Sequence, residues 1–372
     1  MYTTVFVDDR EDQFKILSQV KRVAKDTLEF FECAPEAAIV ETQKAISEKS
    51  PDLLLLDYRL DEKPVKDAKI AEYKAGPAAQ QFRDLAIENY QNDIPIFAVS
   101  LEENIRLYEP AKTAHDLFDQ IWFKNFFVDH PNDAVKKMIS FIKAYKEIIN
   151  CFKIENRLHK LLQINIEEFG FIDSHFFKEI NKLKSPHLVS ISIFKTFIKR
   201  SWLLLDEDNL IALLGIHPDD KQSEHFKELI KIIAENDIGY SGIFGSGFQR
   251  WWTNRLKVFF EGRCSATLGD LTAAERVEKI SECIGLKFKP AISRWTDNSD
   301  TYVSFACSSC KNPTEVEYSV SAYGLVPHPV IGKNRICWSC IQTGEYVEKS
   351  LLVDGSDEFT ADKIRHGKIV FG

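Results

Sequence analysis

The sequence of 372 residues lacks any long hydrophobic segment. No apolar run approaches the ~20 residues that a membrane-spanning helix needs, and the N-terminus turns acidic at once instead of forming a secretory signal. Hydrophobic residues at 44% and charged residues at 28% exclude wholesale disorder. The net charge of −8 opposes a broad nucleic-acid-binding face. We therefore expect a soluble cytoplasmic protein without membrane contact, and its length predicts two or three domains.

Two motifs of phosphate-binding and nucleophilic enzymes are also missing. The glycine-rich stretch at residues 239–247 has no Lys-Ser or Lys-Thr after it, which excludes a P-loop. Neither of its serines fits the G-x-S-x-G spacing of a nucleophile elbow. The stretch is more typical of a turn before a helix that bears Trp251 and Trp252. The basic and aromatic run from Arg250 to Lys257 leaves nucleic-acid contact open as an alternative.

Residues 1–148 alternate between strand and helix patterns. A continuous apolar run such as Leu53–Leu56 is typical of a strand covered on both faces. Strands that alternate with helices predict a doubly wound α/β domain around a parallel sheet. The predicted strands are Thr3–Val7, Leu28–Phe31, Leu53–Leu56, Ile94–Val99 and Ile121–Phe123.

The rest of the chain has a different pattern. Residues 149–296 are predicted to form a mainly α-helical middle domain, and residues 297–372 a small β domain. Residues 132–169 contain neither glycine nor proline, so the last helix of the first domain either runs on past its boundary or breaks into a second helix near Cys151. The other clear helices are Leu188–Leu205, Asp220–Glu235 and Thr272–Ile284, the last with a Thr-x-x-Glu capping box.

Polar residues follow four of the predicted strands. Asp8 and Asp9 follow the first strand and Asp57 the third, while Ser100 and Lys124 follow the last two. The carboxyl ends of parallel strands form the edge where ligands bind in open α/β sheets. Three carboxylates at one edge need a cation, and oxygen ligands with room for water suit Mg²⁺. One carboxylate could then act as a nucleophile and form an acyl phosphate, while the lysine and the serine contact the phosphoryl group.

In this order and placement, the motifs of residues 1–148 resemble the receiver domain of two-component response regulators. The matching motifs are VDD at 7–9, LLLLDYR at 53–59, FAVS at 97–100 and WFK at 122–124. The resemblance implies that Asp57 is the phosphoacceptor, that Ser100 and Lys124 contact the phosphoryl group, and that a sensor histidine kinase supplies it from a phosphohistidine. It also implies a Mg²⁺ site formed by Asp8, Asp9, Asp57 and the backbone carbonyl of Arg59.

Three features depart from that family. Asn125 stands where proline usually follows the lysine, Ile121 stands where an aromatic residue is usual, and the segment from Asp57 to the third helix is long. These departures resemble the divergent response-receiver domains of bacterial conflict and anti-phage operons. A phosphate-independent pseudo-receiver, or a flavodoxin-like sheet with incidental polar strand ends, is the alternative. Pseudo-receivers generally lose one of the five positions, and none is lost here.

Four of the eight cysteines form two Cys-x-x-Cys pairs. Paired thiolates at this spacing favour one tetrahedral Zn²⁺, and the flanking strand patterns resemble a zinc ribbon in which each pair forms a tight knuckle. Four thiolates leave no open coordination position, which indicates a structural role. A pair of redox motifs would need a βαβ context that is absent here. The pairs are Cys307 with Cys310 and Cys337 with Cys340, whereas Cys264 and Cys283 are expected to be small core residues.

These expectations combine into a cytoplasmic phosphorelay protein that transmits or absorbs a signal through protein contacts. Its expected partners are a sensor histidine kinase and a downstream effector protein, and no enzyme activity is predicted beyond its own phosphorylation and dephosphorylation. The alternative is an enzyme or a nucleic-acid-binding effector in the middle and C-terminal domains, gated by the receiver.

Overall fold

The computed structural model describes residues 1–61, 70–101, 116–155, 157–164, 174–295, 301–323, 334–349 and 351–369. The chain divides into two compact units, of which the first contains Met1–Phe194 and Ser241–Phe248 and the second contains Lys195–Tyr240 and Gln249–Gly372. The predicted three-domain division, with boundaries after residues 148 and 296, stays a prediction. No helix in the described ranges combines the length and the apolarity that crossing a bilayer requires.

The first unit is built on a five-stranded sheet. Its strands are β1 Tyr2–Val7, β2 Leu28–Cys33, β3 Leu53–Asp57, β4 Ile96–Ser100 and β5 Gln120–Phe123. They are all parallel and lie in the order β2-β1-β3-β4-β5, which is typical of flavodoxin-like doubly wound sheets. The leucines of β3 are fully buried, as a central strand covered on both faces requires. The predicted doubly wound, receiver-like α/β class is therefore confirmed for the N-terminal part.

In the described residues, helices connect the first four strands along the chain and follow the last one. They are α1 Ser18–Val23, α2 Ile39–Ser47, α3 Ala75–Glu88, α4 Lys124–Asp129, α5 Pro131–Cys151, α6 Arg157–Leu162, α7 Ser174–Lys182 and α8 Pro186–Ile193, with a 3-10 helix at Glu11–Leu17. The long helix α5 begins with a proline, whose missing N–H has no intrahelical partner to lose in the first turn. It ends at Cys151, and α6 begins at Arg157, which confirms the predicted break near Cys151.

A buried ionic network holds α8 against the amino-terminal edge of the sheet. Arg83 of α3 bridges the carboxylates of Asp93 and Asp119, at N–O distances of 2.6 and 2.9 Å. Tyr145 of α5 donates its hydroxyl to Asp119 at 2.8 Å, and the backbone N–H of His187 in α8 donates to Asp93 at 2.8 Å. Burial alone would raise the pKa of Asp119, but His187 and Arg83 lower it below its ordinary value. Since a buried carboxylate stays charged only when it is paired, these contacts fix α8 in place.

The second unit begins with a helical part. It contains β6 Leu204–Leu205, α9 Glu207–Leu214, α10 Glu224–Glu235, β7 Trp251–Trp252, α11 Thr253–Cys264 and α12 Ala273–Ile284. The predicted capping box is present at α12, where Thr272 accepts a hydrogen bond from the Glu275 N–H and Glu275 accepts one from the Thr272 N–H. The described elements of this part are mainly helices, in agreement with the predicted mainly α-helical middle domain.

Two local predictions are wrong. The helix predicted to reach Leu205 ends as α8 at Ile193 and is followed by a π-helical turn at Phe194–Ile198. Leu204–Leu205 instead pairs with Trp251–Trp252 as antiparallel strands. The two tryptophans therefore lie in a strand and not on the following helix. Cys264 lies in the buried apolar cluster of this part and Cys283 packs against it, as predicted for core residues, but their sulfur atoms also form a disulfide that joins the end of α11 to α12 and was not predicted.

The C-terminal part is a small mixed module. Its elements are β8 Phe305–Ala306, β9 Pro313–Thr314, β10 Ser319–Tyr323, β11 Arg335–Cys337, α13 Trp338–Thr343, α14 Glu345–Glu348, β12 Leu352–Val353 and α15 Glu358–Arg365. Strand β10 lies between β11 and β12 in an antiparallel sheet, and β8 pairs with β9 as a short hairpin. The predicted small β domain thus has its strands, together with helices that the sequence patterns did not indicate.

Candidate functional site

An acidic pocket lies at the carboxyl edge of the parallel sheet. Asp8 and Asp9 directly follow β1, and Asp57 is the last residue of the neighbouring strand β3. One carboxylate oxygen from each residue lies within 4.8 Å of the others, and none of the three residues is more than 5% exposed. Because β1 and β3 are adjacent and parallel, their ends bring the three carboxylates together. The structure thus places the predicted acidic residues in one cluster.

Lys124 supplies the positive charge of this pocket. It is the first residue of α4 and directly follows β5, so its side chain starts from the same sheet edge. Its Nζ lies 2.8 Å from Oδ1 of Asp57 and 2.8 Å from Oδ2 of Asp8. It also donates to Oε1 of Gln13 at 3.3 Å, a contact that no sequence pattern indicates. The lysine is 8% exposed, so water screens these interactions weakly.

Lys124 does not offset the cost of burying the Asp8 and Asp57 carboxylates. Burial raises the pKa of Asp57 to about 7, and the neighbouring Asp8 carboxylate adds to this rise while Lys124 opposes it. Burial also raises the pKa of Asp8, against the effects of Lys124 and Arg10. For Lys124 burial works against the charged form, yet Asp57 and Asp8 together raise its pKa. The charged forms of both carboxylates are therefore costly in this pocket, and a divalent cation on oxygen ligands would favour them.

Ser100 adds a hydrogen-bond donor at the same edge. It is the last residue of β4, the strand between β3 and β5, and its sheet partner Phe123 directly precedes Lys124. Its side chain is fully buried, and its hydroxyl has no hydrogen-bond partner among the residues that the structure describes. Buried hydroxyls are normally paired, because an unpaired one costs about 1–3 kcal/mol. An unpaired hydroxyl beside an acidic pocket is suited to an oxyanion that arrives later.

Arg59 lies next to the pocket through its main chain. Its backbone N–H donates to Oδ2 of Asp57 at 3.0 Å, and its side chain pairs with Asp61 at 2.7 Å. The N–H contact orients the Asp57 carboxylate, and the guanidinium stays bound outside the acidic cluster. A role for the Arg59 carbonyl in metal binding stays a prediction.

The four paired cysteines form a second cluster, in the C-terminal module. Cys307 and Cys340 have sulfur atoms 3.9 Å apart, and those of Cys310 and Cys337 are 3.8 Å apart. A tetrahedral Zn²⁺ with Zn–S bonds of ~2.3 Å requires S···S distances of ~3.8 Å. The same distances are far too long for disulfides, which need ~2.05 Å. The arrangement therefore fits a metal and not a pair of redox disulfides.

The second cysteine pair does not form a knuckle. Cys307 and Cys310 lie in the turn of the β8–β9 hairpin, as a knuckle requires, whereas Cys337 ends β11 and Cys340 lies in the first turn of α13. The zinc-ribbon assignment is therefore not confirmed. Sequence reasoning also missed Arg294, whose Nη1 lies 3.4 Å from the sulfur of Cys340 while its guanidinium pairs with a nearby glutamate. This cation offsets part of the charge of a four-thiolate cluster.

The two tryptophans after the glycine-rich stretch are buried. Trp251 and Trp252 are 2% and 3% exposed, so neither ring is free to stack on a base. Arg250 donates to the Ile198 carbonyl at 3.0 and 2.8 Å, which uses its guanidinium within the fold. Base stacking by these tryptophans is therefore excluded, and nucleic-acid contact through the rest of the run to Lys257 stays an untested alternative.

Comparison with known proteins gives partial likenesses. No protein-family model and no curated protein matches this chain. A DNA-binding response regulator of the LuxR family from Staphylococcus aureus is 12% identical over 38% of this chain and 98% of its own, with a TM-score of 0.27. A structure of the histidine kinase ThkA in complex with the response regulator TrrA is 18% identical over 37% of this chain and 99% of its own, with a TM-score of 0.26. The Mn²⁺-bound form of the response regulator Rcp1 is 14% identical over 38% of this chain and 94% of its own, with a TM-score of 0.25. At such TM-scores the fold assignment depends on this chain's own strand order and site.

Proposed function

We propose that the first unit is a phosphoacceptor receiver in which Asp57 takes a phosphoryl group from a phosphohistidine of a sensor kinase. The supporting observation is the buried cluster of Asp8, Asp9 and Asp57, with Lys124 at 2.8 Å from two of its carboxylates. The cluster gathers three buried carboxylates at one sheet edge, beside a serine hydroxyl that has no partner among the described residues. Both features suit a site that binds a metal and then a phosphoryl group.

The transfer needs few protein groups. An Asp57 oxygen attacks phosphorus, the P–N bond of the phosphohistidine breaks, and the imidazole leaves with the bonding electron pair and takes up a proton. Asp8, Asp9 and Asp57 would hold a Mg²⁺ ion, which when bound neutralises carboxylate and phosphoryl oxygens. Lys124 exchanges part of its contact with Asp57 for a phosphoryl oxygen, and the Ser100 hydroxyl donates to another. The protein thereby contributes positioning and charge complementarity.

Phosphoryl labelling of the full chain tests this assignment. After incubation with Mg²⁺ and acetyl phosphate or a cognate kinase, intact-mass analysis and phosphate-affinity gels should show one phosphoryl group per chain. Asp57→Asn should abolish the label, and Lys124→Ala should reduce it strongly. Asp52→Asn is the matched control, because Asp52 lies just before β3 at the opposite edge of the sheet. A label that persists in Asp57→Asn would refute the acceptor assignment.

For the C-terminal module we propose one structural Zn²⁺ held by the four paired cysteines. The S···S distances of 3.8 and 3.9 Å support this, and so does the backbone N–H of Cys337, which donates to the sulfur of Cys307 at 3.2 Å. A site closed by four thiolates would supply folding free energy and no catalysis. Elemental analysis should find one zinc per chain, and Cys310→Ser should lower that content. A full zinc content after this change would contradict the proposed ligand set.

The biological role that we propose is a cytoplasmic signal transmitter or phosphate sink, acting through protein contacts in a bacterial anti-phage system. The departures at Asn125 and Ile121 are the basis for this placement, since they match divergent response receivers better than transcriptional regulators. A plaque assay in the native host tests it, with the wild-type gene compared with Asp57→Asn. Equal protection by both genes would refute a phosphorylation-dependent defence role.

A further inference from the structure

The segment Ser241–Phe248, here called the return segment, has an unusual place in the chain. It belongs to the first unit, whereas the residues before it, Lys195–Tyr240, and those after it, from Gln249 onward, belong to the second. The chain therefore enters the first unit again for this short stretch and leaves it at both ends. Each end of the return segment is therefore joined by a peptide bond to a residue of the second unit, at Tyr240 and at Gln249.

Hydrogen bonds and close packing hold the return segment on the first unit. Ser140 of α5 donates to the carbonyl of Phe244 at 2.9 Å and accepts from the N–H of Gly247 at 3.2 Å. The N–H of Ile243 donates to the carbonyl of Leu161 at 2.9 Å. Gly247 lies so close to α5 that an added Cβ would be 2.6 Å from the Cβ of Ser140. Any larger residue at position 247 would push the segment away from the helix.

Aromatic rings connect the return segment to the sheet. Phe244 packs on Phe141 of α5 with ring centroids 4.8 Å apart, and Phe141 packs edge-on against Phe97 of β4 at 5.1 Å. Phe97 in turn contacts Trp122 of β5 at 4.7 Å. Phe97, Phe141 and Phe244 thus form a continuous series of ring contacts from strand β4 to the return segment. Each of the three is 2% exposed or less.

The same two strands carry the residues proposed to contact the phosphoryl group. Ser100 ends β4 three residues after Phe97, and Lys124 follows β5 two residues after Trp122. A shift of the β4 end toward a phosphoryl oxygen therefore moves the strand against which Phe141 packs. Closely packed interiors have little free volume, so they respond by changing between discrete arrangements and not by gradual deformation.

We propose that the return segment is the output element of the receiver, docked on α5 without phosphate and released when Asp57 is phosphorylated. In the docked arrangement the Ser100 hydroxyl has no partner among the described residues, and a phosphoryl group on Asp57 would give it one at the end of β4. This inference depends on the phosphoacceptor function proposed above. It identifies the segment through which phosphorylation of the receiver acts on the rest of the chain, and it states that phosphorylation releases this segment.

Hydrogen–deuterium exchange of the full chain tests the release. With Mg²⁺ and the phosphoryl mimic beryllofluoride, amide exchange in residues 241–248 should become about 5-fold faster or more, the low end of usual allosteric coupling. Asp57→Asn should show no such change. Intact mass after acetyl phosphate treatment reports phosphorylation separately. A labelled protein whose segment exchanges at an unchanged or slower rate would overturn the inference alone, whereas absence of the label would overturn the proposed function and the inference with it.

Linkage supplies a second test, because coupling between two sites is reciprocal. Gly247→Ala should undock the segment and raise the apparent affinity for beryllofluoride by the same factor by which beryllofluoride favours release. Ser140→Ala, which removes two hydrogen bonds without adding volume, should act in the same direction. Gly239→Ala is the matched control, since a Cβ there meets nothing within 4 Å. Unchanged affinity in both Gly247→Ala and Ser140→Ala would refute the coupling.

Discussion

Replacing Asp57 by asparagine is expected to stabilise the metal-free protein near pH 8, although the change removes an ion pair. In the folded protein the pKa of Asp57 rises from 3.8 to about 7, so burial and the Asp8 carboxylate outweigh the attraction of Lys124. At 1.36 kcal/mol for each unit of pKa, that rise lowers the free energy of unfolding by about 4 kcal/mol when the carboxylate ionises. Asparagine has no charge to lose and should avoid this loss.

The sign of the pH dependence follows from proton binding. Between about pH 4 and pH 7 the unfolded chain releases the Asp57 proton while the folded chain keeps it, so stability falls as the pH rises through this window. Above about pH 7 the loss is complete. Wild-type protein in chelator should therefore have a lower Tm near pH 8 than near pH 5, and Asp57→Asn should have a flatter profile.

Thermal unfolding in chelator and in Mg²⁺ provides the measurement. At about 2–4 °C per kcal/mol for a unit of this size, the Tm of Asp57→Asn near pH 8 should exceed that of the wild type by about 8 °C or more. Added Mg²⁺ should raise the wild-type Tm and narrow this difference, since a cation that binds only the folded pocket stabilises it by mass action. A metal-free Asp57→Asn that melts below the wild type at pH 8 would show that the Lys124 ion pair dominates, and the electrostatic reasoning would fail.

Three further changes test the scaffold, each by urea unfolding. Replacing Cys264 and Cys283 by serine should lower the free energy of unfolding by about 3 kcal/mol in oxidising buffer, because the disulfide closes a loop with a separation of 19 residues. In reducing buffer the same replacement should cost nothing. Equal stabilities of the two proteins in oxidising buffer would contradict the disulfide. Arg83→Met should lower the free energy of unfolding by about 3–5 kcal/mol, since it removes the cation that two buried carboxylates share, and a cost below 1 kcal/mol would contradict the network. Thr272→Ala should cost about 1 kcal/mol through loss of the cap on α12. Thr267→Ala is the matched control, because its side chain caps nothing at the start of a 3-10 turn, and it should cost much less.

The sheet and its acidic edge could be predicted from the sequence because local patterns encode both. The run Leu53–Leu56 marks a buried strand by itself, and Asp57 follows at the position where a parallel strand presents its end. Once the strands are parallel, their order along the chain brings the terminal residues to one edge. No long-range information is needed to expect Asp8 and Lys124 at the same place.

The features that were missed depend on partners far away in the chain. Leu204–Leu205 has a helical neighbourhood, and only pairing with Trp251–Trp252 makes it a strand. The disulfide needs two helices to bring Cys264 and Cys283 together, which no spacing pattern indicates. The contact of Arg294 with Cys340 spans 46 positions and likewise has no local signature. In each case tertiary packing overrides or supplements local preference.

The buried ionic network at the amino-terminal edge of the sheet determines how long a fragment of the chain must be to keep all of its hydrogen bonds. Asp93 accepts from the Ser185 hydroxyl at 3.2 Å as well as from the His187 N–H, and Asp119 accepts from the Ser190 hydroxyl at 3.1 Å. A chain cut after residue 148 would keep the whole sheet, the whole acidic pocket and the contacts of Arg83 and Tyr145, yet it would lose these three donors and the helix that supplies them. A fragment that retains the complete network therefore extends through the end of α8 at Ile193.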